Sequence, residues 1–214
     1  MPIAITQEEQ IVLSVVQEYL DKNRQFNMEK ILPFIISRFR LAYINISKNG
    51  IEEILRSLIK KELLVEGSKL SRDDILLNLK RLSIYNYILK HPGTYFNKIL
   101  KELGLSNHVV VWHLNMLVKF NFIRKEILDN HDIYFDTDME LEEVKKIYFT
   151  SKAKSKQIID YLKINNDGIT KTQLSNDLKM HPNTVTKYLE TLHEHDIIIR
   201  EKMSSKTLYF LNSE

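Results

Sequence analysis

The sequence has no cysteine and, among its 214 residues, only five glycines and four prolines. Without thiols the chain can form no disulfide, zinc–thiolate site, iron–sulfur cluster or cysteine nucleophile. So few glycines and prolines disfavour an all-β fold and favour helices joined by short turns. No apolar run reaches the ~18–20 residues that span a bilayer, and the first ten residues lack the features of a signal peptide. We therefore expect a cytoplasmic protein without membrane insertion.

Charge of one sign is not in large excess either. The chain carries 31 basic and 28 acidic residues, a net charge of +3, and 43% of its residues are hydrophobic. This balance is typical of a folded globular protein. Because nucleic-acid binding depends on local rather than total positive charge, the total does not distinguish a nucleic-acid surface from an ordinary solvated one.

The sequence does contain a repeated apolar spacing. Val185, Leu189 and Leu192 follow the i, i+4, i+7 pattern of one helix face, and an apolar run begins five residues later at Ile197. Two earlier segments repeat this pattern at matching distances: Val110, Leu114 and Leu117 with Phe122 and Ile123, and Ile51, Leu55 and Leu58 with Leu63, Leu64 and Val65. We name the three repeats the N-terminal, middle and C-terminal copies.

Two further helices precede this stripe in each copy. Apolar residues lie 11 and 7 positions before it in two copies: Ile99 and Leu103 in the middle one, Leu174 and Leu178 in the C-terminal one. The N-terminal copy departs from that spacing around residues 28–39. An earlier amphipathic helix opens each copy with these residues: Val12, Val15, Val16 and Tyr19; Ile84, Ile88 and Leu89; Ile158, Ile159 and Leu162. Ser71, followed by two aspartates, marks a helix start.

A β-hairpin follows the last helix in two copies. In the C-terminal copy, residues 197–202 lead through residues 203–205 to a second strand at 206–211. In the middle copy, residues 122–127 lead through a turn at 129–131 to residues 133–135. The N-terminal copy retains only residues 63–70, so we expect a short hairpin at most there.

Residues 103–114 (LGLSNHVVVWHL) and 178–189 (LKMHPNTVTKYL) contain the turn and the second helix. Both resemble the turn and recognition helix of winged helix-turn-helix proteins, in the broad sense of the ArsR/MarR-like transcriptional regulators of archaea and bacteria. The resemblance implies a mainly α fold with small β-hairpins (α+β), built of three tandem winged helix-turn-helix domains. We place a degenerate winged-helix domain at 1–70, winged helix-turn-helix domains at 71–137 and 151–214, and a linker helix at 138–150.

In this motif the second helix lies in the major groove, and its outward residues contact base edges and phosphates. Subtracting the apolar stripe leaves a polar set in the C-terminal copy, together with basic hairpin residues: His181, Asn183, Thr184, Thr186, Lys187, Arg200, Lys202 and Lys206. The amide of Asn183 suits adenine, whereas threonine and lysine suit phosphates or bases. The middle copy offers Asn107, His108, Asn115 and Arg124. We expect these residues to contact double-stranded DNA.

The middle copy also carries apolar residues on its outward face. Val111 and Trp112 suit either a thymine methyl group or a protein surface, and we assign them to protein contact. The tip of its hairpin, residues 129–132, is acidic and would repel phosphate. A homodimer could form through the linker helix at 137–150 or through the long first helix at 7–23.

Two functions from different classes fit these patterns. The first is a double-stranded DNA-binding transcriptional regulator. The alternative is a non-enzymatic protein-interaction scaffold of tandem winged helices, of the ESCRT-II, polymerase-associated or condensin-associated kind. No nucleophile motif, carboxylate pair or phosphate-binding loop is present, so we expect no enzyme and no cofactor. The seven histidines lack the spacing of metal ligands, so no metal site is expected.

Overall fold

A computed structural model of the chain describes residues 4–22, 24–203 and 206–212. Its helices are α1 (Gln7–Asp21), α2 (Met28–Leu41), α3 (Lys48–Lys60), α4 (Arg72–Ile75), α5 (Leu79–Lys90), α6 (Phe96–Leu103), α7 (Asn107–Lys119), α8 (Leu141–Ser151), α9 (Ala153–Ile164), α10 (Lys171–Asp177) and α11 (Pro182–Glu194). Its strands are β1 (Thr94–Tyr95), β2 (Ile123–Leu128), β3 (His131–Asp136), β4 (Ile198–Met203) and β5 (Lys206–Leu211). Mostly helical with small antiparallel sheets, the protein has the predicted α+β class.

The backbone divides into two compact units. Unit 1 comprises residues 1–87 and 96–125, and unit 2 comprises residues 88–95 and 126–214. Unit 1 thus holds α1 to α4, α6 and α7, whereas unit 2 holds β1, β3 and all elements from α8 onward. None of the described helices is long and apolar enough to cross a membrane.

Unit 1 begins with three helices around one apolar core. Thr6 caps α1, since its hydroxyl accepts a hydrogen bond from the Glu9 amide while the Glu9 carboxylate accepts one from the Thr6 amide. Each helix buries one stripe of its surface: Val12 and Val16 from α1, Ile31 and Ile35 from α2, and Ile51, Leu55 and Leu58 from α3. The apolar stripe predicted for the N-terminal copy is therefore buried.

The Glu9 carboxylate joins the start of α1 to the end of α3. It accepts hydrogen bonds from the Ser57 hydroxyl at 2.6 Å and from the Lys61 ammonium at 2.7 and 2.8 Å. The bond from Lys61 is the main cause that lowers the pKa of Glu9 to about 2, with further contributions from Ser57 and the Thr6 amide. Glu9 is therefore ionised and fully paired at neutral pH.

The short hairpin expected in the N-terminal copy is absent from the described part of the chain, where residues 63–65 form no strand. The chain turns at Glu62, whose φ is +59°, and the next two leucines insert into the helical core. The Gly67 amide donates to the Phe26 carbonyl, and the Phe26 amide donates to the Ser68 carbonyl, at 2.8 and 2.7 Å. The segment pairs with the loop before α2 and not with itself, which explains the missing hairpin.

The first helix of the middle copy is broken in two. Ser71 does mark a helix start, because its amide and its hydroxyl both donate to the Asp74 carboxylate. The resulting α4 has only four residues, and the chain restarts as α5 where the Asn78 side chain accepts a hydrogen bond from the Arg81 amide. The assignment of Leu89 to the buried stripe was wrong, since Leu89 is 41% exposed.

Unit 2 contains the hairpin of the C-terminal copy. β4 and β5 pair antiparallel from Ile198 opposite Leu211 to Met203 opposite Lys206, and Ile169 adds an isolated bridge to Tyr209. A second sheet has the order β1-β3-β2. Each sheet thus joins a hairpin to a short extended segment that lies before the helix pair.

The elements of the middle and C-terminal copies share one offset. β2 begins at Ile123 and β4 at Ile198, which is 75 residues later, and α6 and α10, α7 and α11, and β3 and β5 begin at the same separation. Thr94 pairs with Tyr134 in one sheet, and Ile169 pairs with Tyr209 in the other, again 75 residues apart. The spacing of apolar residues therefore corresponds to matching helix and strand boundaries.

In the segment where a linker helix was expected, at 138–150, the chain forms α8, which spans Leu141–Ser151. Its residues Val144, Tyr148 and Phe149 are buried together with Ile133 and Phe135 of β3. The long first helix also buries its apolar stripe, in unit 1; it ends at Asp21, and its predicted end, Asn23, lies outside the described residues. Both helices that the sequence offered as dimer seams therefore bury apolar residues within a single chain.

Candidate nucleic-acid interface

α11 is oriented by its buried stripe, whose three members Val185, Leu189 and Leu192 are fully buried. Pro182 occupies the first turn, where its missing amide hydrogen leaves no hydrogen bond unmade. His181 caps the helix, with its Nδ1 accepting a hydrogen bond from the Asn183 amide at 3.2 Å. The face opposite the stripe therefore points to solvent from the first turn onward.

The outward face of α11 carries the polar residues predicted for it. Three of them are exposed and two are half-buried: His181, Asn183 and Lys187, and Thr184 and Thr186. The Thr186 hydroxyl donates to the Pro182 carbonyl at 2.9 Å, so it keeps only acceptor capacity for a ligand. The capping role of His181 was not foreseen, and it leaves Nε2 as the ring atom available for contact.

The hairpin divides the three predicted basic residues between its faces. Arg200 and Lys202 are two residues apart on β4, whereas Lys206 on β5 lies opposite Met203. Side chains alternate along a strand and opposed residues share a face, so Arg200 and Lys202 share one face and Lys206 extends from the other. The predicted tip, residues 204–205, lies outside the described residues. The expected cluster of three cations is therefore split into two and one.

Two further cations, one on α10 and one in the turn between α10 and α11, were not predicted from the sequence. Lys171 is the first residue of α10, and Lys179 lies in the turn before α11 with a φ of +50°. Both are exposed, and neither forms an ion pair within the described ranges. Lys179 belongs to the motif at 178–189, but the predicted contact residues were taken only from the second helix and the hairpin, and Lys179 lies in the turn before that helix.

α7 has the same framework and a different surface. Its stripe of Val110, Leu114 and Leu117 is buried. All five residues predicted to point outward are exposed: Asn107, His108, Val111, Trp112 and Asn115. Val111 is 45% and Trp112 52% exposed, so the outward face of this helix presents a large apolar area. Among the outward residues of this helix, no lysine or arginine precedes Lys119.

A buried arginine lies behind Trp112, and sequence reasoning missed it. Arg81 is 1% exposed, and its guanidinium donates to the Ile75 carbonyl at 2.7 Å and to Nδ1 of His113 at 3.4 Å. The Trp112 ring lies 5.0 Å from the same guanidinium. Burial, and then the charges of Arg81 and Lys80, lower the pKa of His113. A neutral His113 can accept the hydrogen bond that Arg81 donates.

The acidic tip of the middle hairpin is held by a lysine of unit 2. Asp129 and Asn130 form the turn with φ values of +51° and +61°, as a two-residue hairpin turn requires. The Lys152 ammonium donates to the Asp129 carboxylate and lowers its pKa, with Lys187 as a further positive charge. Arg124, predicted at the base of this hairpin, is half-buried on β2. This tip therefore faces protein cations.

Two histidines at the end of α11 make contacts within the chain. The His193 ring lies 3.2 Å from the Ile198 carbonyl, and His195 stacks on Phe149 with ring centroids 4.5 Å apart. Over the part of the chain that the structure describes, no three histidine or carboxylate side chains are grouped as metal ligands.

The chain is distantly similar to a curated protein. No protein-family model matches the chain. Over 190 residues it is 27% identical to an uncharacterized HTH-type transcriptional regulator of Methanocaldococcus jannaschii, a match that covers 85% of this chain and 48% of that protein. The chain thus spans about half the length of this curated relative.

Two structures of the endosomal complex ESCRT-II, one of them of VPS22/VPS25/VPS36, are similar at 13% identity with TM-scores of 0.28 and 0.26. They cover 100% and 96% of this chain, and 98% and 92% of the chains compared. TM-scores this low carry no argument about fold or function.

Proposed function

We propose that the chain is a double-stranded DNA-binding transcriptional regulator of the ArsR/MarR-like winged helix-turn-helix type. In this proposal it has three tandem domains, at 1–70, 71–137 and 151–214, and the third makes the main DNA contact. The observation that carries it is the outward face of α11, which is polar and carries the exposed Lys187 beside a hairpin with two cations on one face. The distant HTH-type regulator supports the same class.

In this proposal each part of the face has its own task. The first turn of α11 enters the major groove, where the Asn183 amide can pair bidentately with adenine. Lys187, one turn further along the helix, reaches a phosphate or a guanine edge. Arg200 and Lys202 lie along the adjacent backbone and neutralise phosphates, while Lys206, on the other hairpin face, contributes less.

The test is a titration of selected duplex DNA at two salt concentrations. Lys187→Ala should weaken binding roughly tenfold and reduce the slope of log affinity against log salt by about 1, because one phosphate contact is lost. The matched control is Lys163→Ala, which removes an exposed lysine at the end of α9 and should leave both quantities unchanged. If the wild type binds no duplex at low salt, or if both variants behave alike, the proposal is wrong.

A second function is favoured for the middle copy by one observation. Val111 and Trp112 expose a large apolar area where a DNA-reading helix would carry polar groups, so we propose that this face binds protein. Trp112 is the single tryptophan, and its fluorescence therefore reports on this face alone. Saturating duplex should leave the emission unchanged; a strong quench or shift on DNA addition would assign the face to DNA.

A further inference from the structure

A groove of about 1080 Å³ runs along the outer face of α2 and α3 in unit 1 and has no part in the proposed DNA contact. Its wall on α2 is made by residues near both ends and the middle of that helix, and its wall on α3 includes Lys48 and Arg56. Proline and aliphatic side chains alternate with charged ones along it. This mixture differs from the basic and polar surface expected of a DNA-reading helix.

The α2 wall of the groove is symmetric about the midpoint of the helix. α2 spans Met28–Leu41, so its midpoint lies between Phe34 and Ile35. Three pairs of lining residues at equal distances from that point have matching or complementary chemistry: Met28 with Leu41, Glu29 with Arg40, and Pro33 with Ile36. The fourth pair, Leu32 with Ser37, combines an apolar and a polar residue. An identical helix laid antiparallel across the groove would place apolar groups together and each Glu29 against an Arg40.

The two charges of this pattern are those of Glu29 and Arg40. Glu29 and Arg40 are exposed, and neither side chain forms an ion pair or a hydrogen bond among the described residues. A parallel arrangement of two identical helices would oppose Glu29 to Glu29 and Arg40 to Arg40, which is repulsive. The charges therefore favour the antiparallel arrangement, which a twofold axis generates.

A projecting side chain and a cavity lie at opposite ends of the same helix. Tyr43, two residues after α2, is 96% exposed and has a φ of +54°, and Leu41 beside it is 70% exposed. Before α2, a cavity of about 450 Å³ is lined by residues that include Arg24 and Phe26. The cavity lies at the N-terminal end of α2 and Tyr43 at its C-terminal end, so an antiparallel partner helix brings its own Tyr43 toward the cavity end of α2.

We propose that two copies of the chain associate through antiparallel α2 helices, with a twofold axis at the midpoint of α2. Glu29 of each copy pairs with Arg40 of the other, and Pro33 and Ile36 pack across the axis. Tyr43 of each copy enters the cavity of the other, where Arg24, which already lies 5.0 Å from the Tyr19 ring, offers a cation to a second aromatic ring.

The test measures the mass of the full chain in solution over a concentration series, by sedimentation or light scattering, without DNA. The wild type should dimerise, whereas Glu29→Arg and Arg40→Glu should each weaken dimerisation at least tenfold, because like charges then face each other. An equimolar mixture of the two variants should restore a dimer, since both contacts become attractive only in the mixed pair. The matched control, Glu8→Arg on the exposed surface of α1, should dimerise like the wild type.

Tyr43→Ala removes an exposed side chain, so it should fold normally and weaken dimerisation roughly tenfold. The chain has no cysteine, so Pro33→Cys mixed with Ile36→Cys should form an intermolecular disulfide selectively. A wild type that stays monomeric at roughly 100 μM, a dimer that survives both charge reversals, or a mixture that stays monomeric overturns the proposal. None of these outcomes depends on DNA binding.

Discussion

α7 and α11 are two versions of one helix. Each has thirteen residues, each buries a valine and two leucines, and each precedes a hairpin at the same distance. At the offset of 75 residues, Trp112 of α7 occupies the position that Lys187 has in α11. His108 of α7 likewise corresponds to Asn183 of α11. The inward residues are nearly the same, whereas the outward residues differ in charge and polarity.

This difference separates what determines the fold from what determines the partner. The buried stripe orients each helix because apolar burial stabilises a protein whatever lies outside. The outward residues contribute little to that packing, so they can change from a polar set to an apolar one without loss of the framework. We therefore expect substitutions behind the helices to change stability and substitutions on their outward faces to change binding.

The largest expected effect lies behind α7. Arg81→Ala leaves the Ile75 carbonyl and Nδ1 of His113 without their donor and opens a cavity, so we expect a loss of about 3 kcal/mol of unfolding free energy. Ser155, the third residue of α9 as Arg81 is of α5, is the matched position in the C-terminal copy. Ser155→Ala should cost well under 1 kcal/mol. Urea unfolding measures the free energy of unfolding of both variants. Equal losses would contradict the prediction that Arg81 has a stabilising role that Ser155 lacks.

A smaller difference is expected at a pair of matched glycines. Gly168 has a φ of +83°, and a β-carbon there would collide with the Phe210 ring. Gly93, with a φ of +76°, would bring a β-carbon to 3.3 Å from that of Tyr148, which is tight but not a collision. Both alanine variants should lose stability from backbone strain, about 1 kcal/mol, and Gly168→Ala should lose about 1 kcal/mol more. Thermal unfolding measures both variants, and a lower melting temperature for Gly93→Ala than for Gly168→Ala would contradict this packing.

Exchanging the outward residues should change binding through α11, whereas at α7 the exchange also removes the contact of the Trp112 ring with the buried Arg81 guanidinium and lowers stability. Lys187→Trp should weaken duplex binding roughly tenfold, about 1.4 kcal/mol, by removing a phosphate contact. Trp112→Lys at the matched position should leave the existing DNA contact intact and should not weaken binding. The titration used for Lys187→Ala measures both variants, with melting temperature as the control for folding. Weaker binding by Trp112→Lys would show that α7 already contacts DNA through its apolar face.

The smallest effect is a pH dependence confined to α7. Burial lowers the pKa of His113 below its ordinary 6.5, so the unfolded chain takes up this proton more readily than the folded one. The contribution of neutral His113 is therefore complete above pH 6.5 and is lost as the pH falls below it. His113→Gln keeps an acceptor but does not titrate. The difference in unfolding free energy between wild type and variant should change in the variant's favour on acidification, and a constant difference would contradict the assignment.

The sequence predicted the helices and hairpins of the middle and C-terminal copies because their stripes repeat at fixed spacing and dominate the burial. It overestimated the N-terminal copy: the apolar run at 63–65 looks like a strand, but its burial comes from insertion between helices. It also could not show the break of the first middle-copy helix at Asn78, because the capping hydrogen bond that restarts α5 depends on local geometry.

For the candidate site, the sequence identified which residues face outward but not how they are engaged. His181 was predicted as a DNA contact, yet its cap on α11 depends on ring orientation. The split of Lys206 from Arg200 depends on strand register, and the Arg81–His113 pair joins residues 32 positions apart. None of these three relations produces a periodic pattern in the sequence from which it could be predicted. The DNA contacts themselves remain predictions.

The most direct test of the different tasks of α7 and α11 compares Asn183→Ala with His108→Ala. The two residues are exposed, occupy matched positions in the first turns of α11 and α7, and carry no buried contact that would confuse stability with binding. In a titration of selected duplex DNA, we predict that Asn183→Ala weakens binding roughly tenfold, as loss of a base contact should, while His108→Ala binds like the wild type. Equal weakening by both variants, or an effect of His108→Ala alone, would contradict the account.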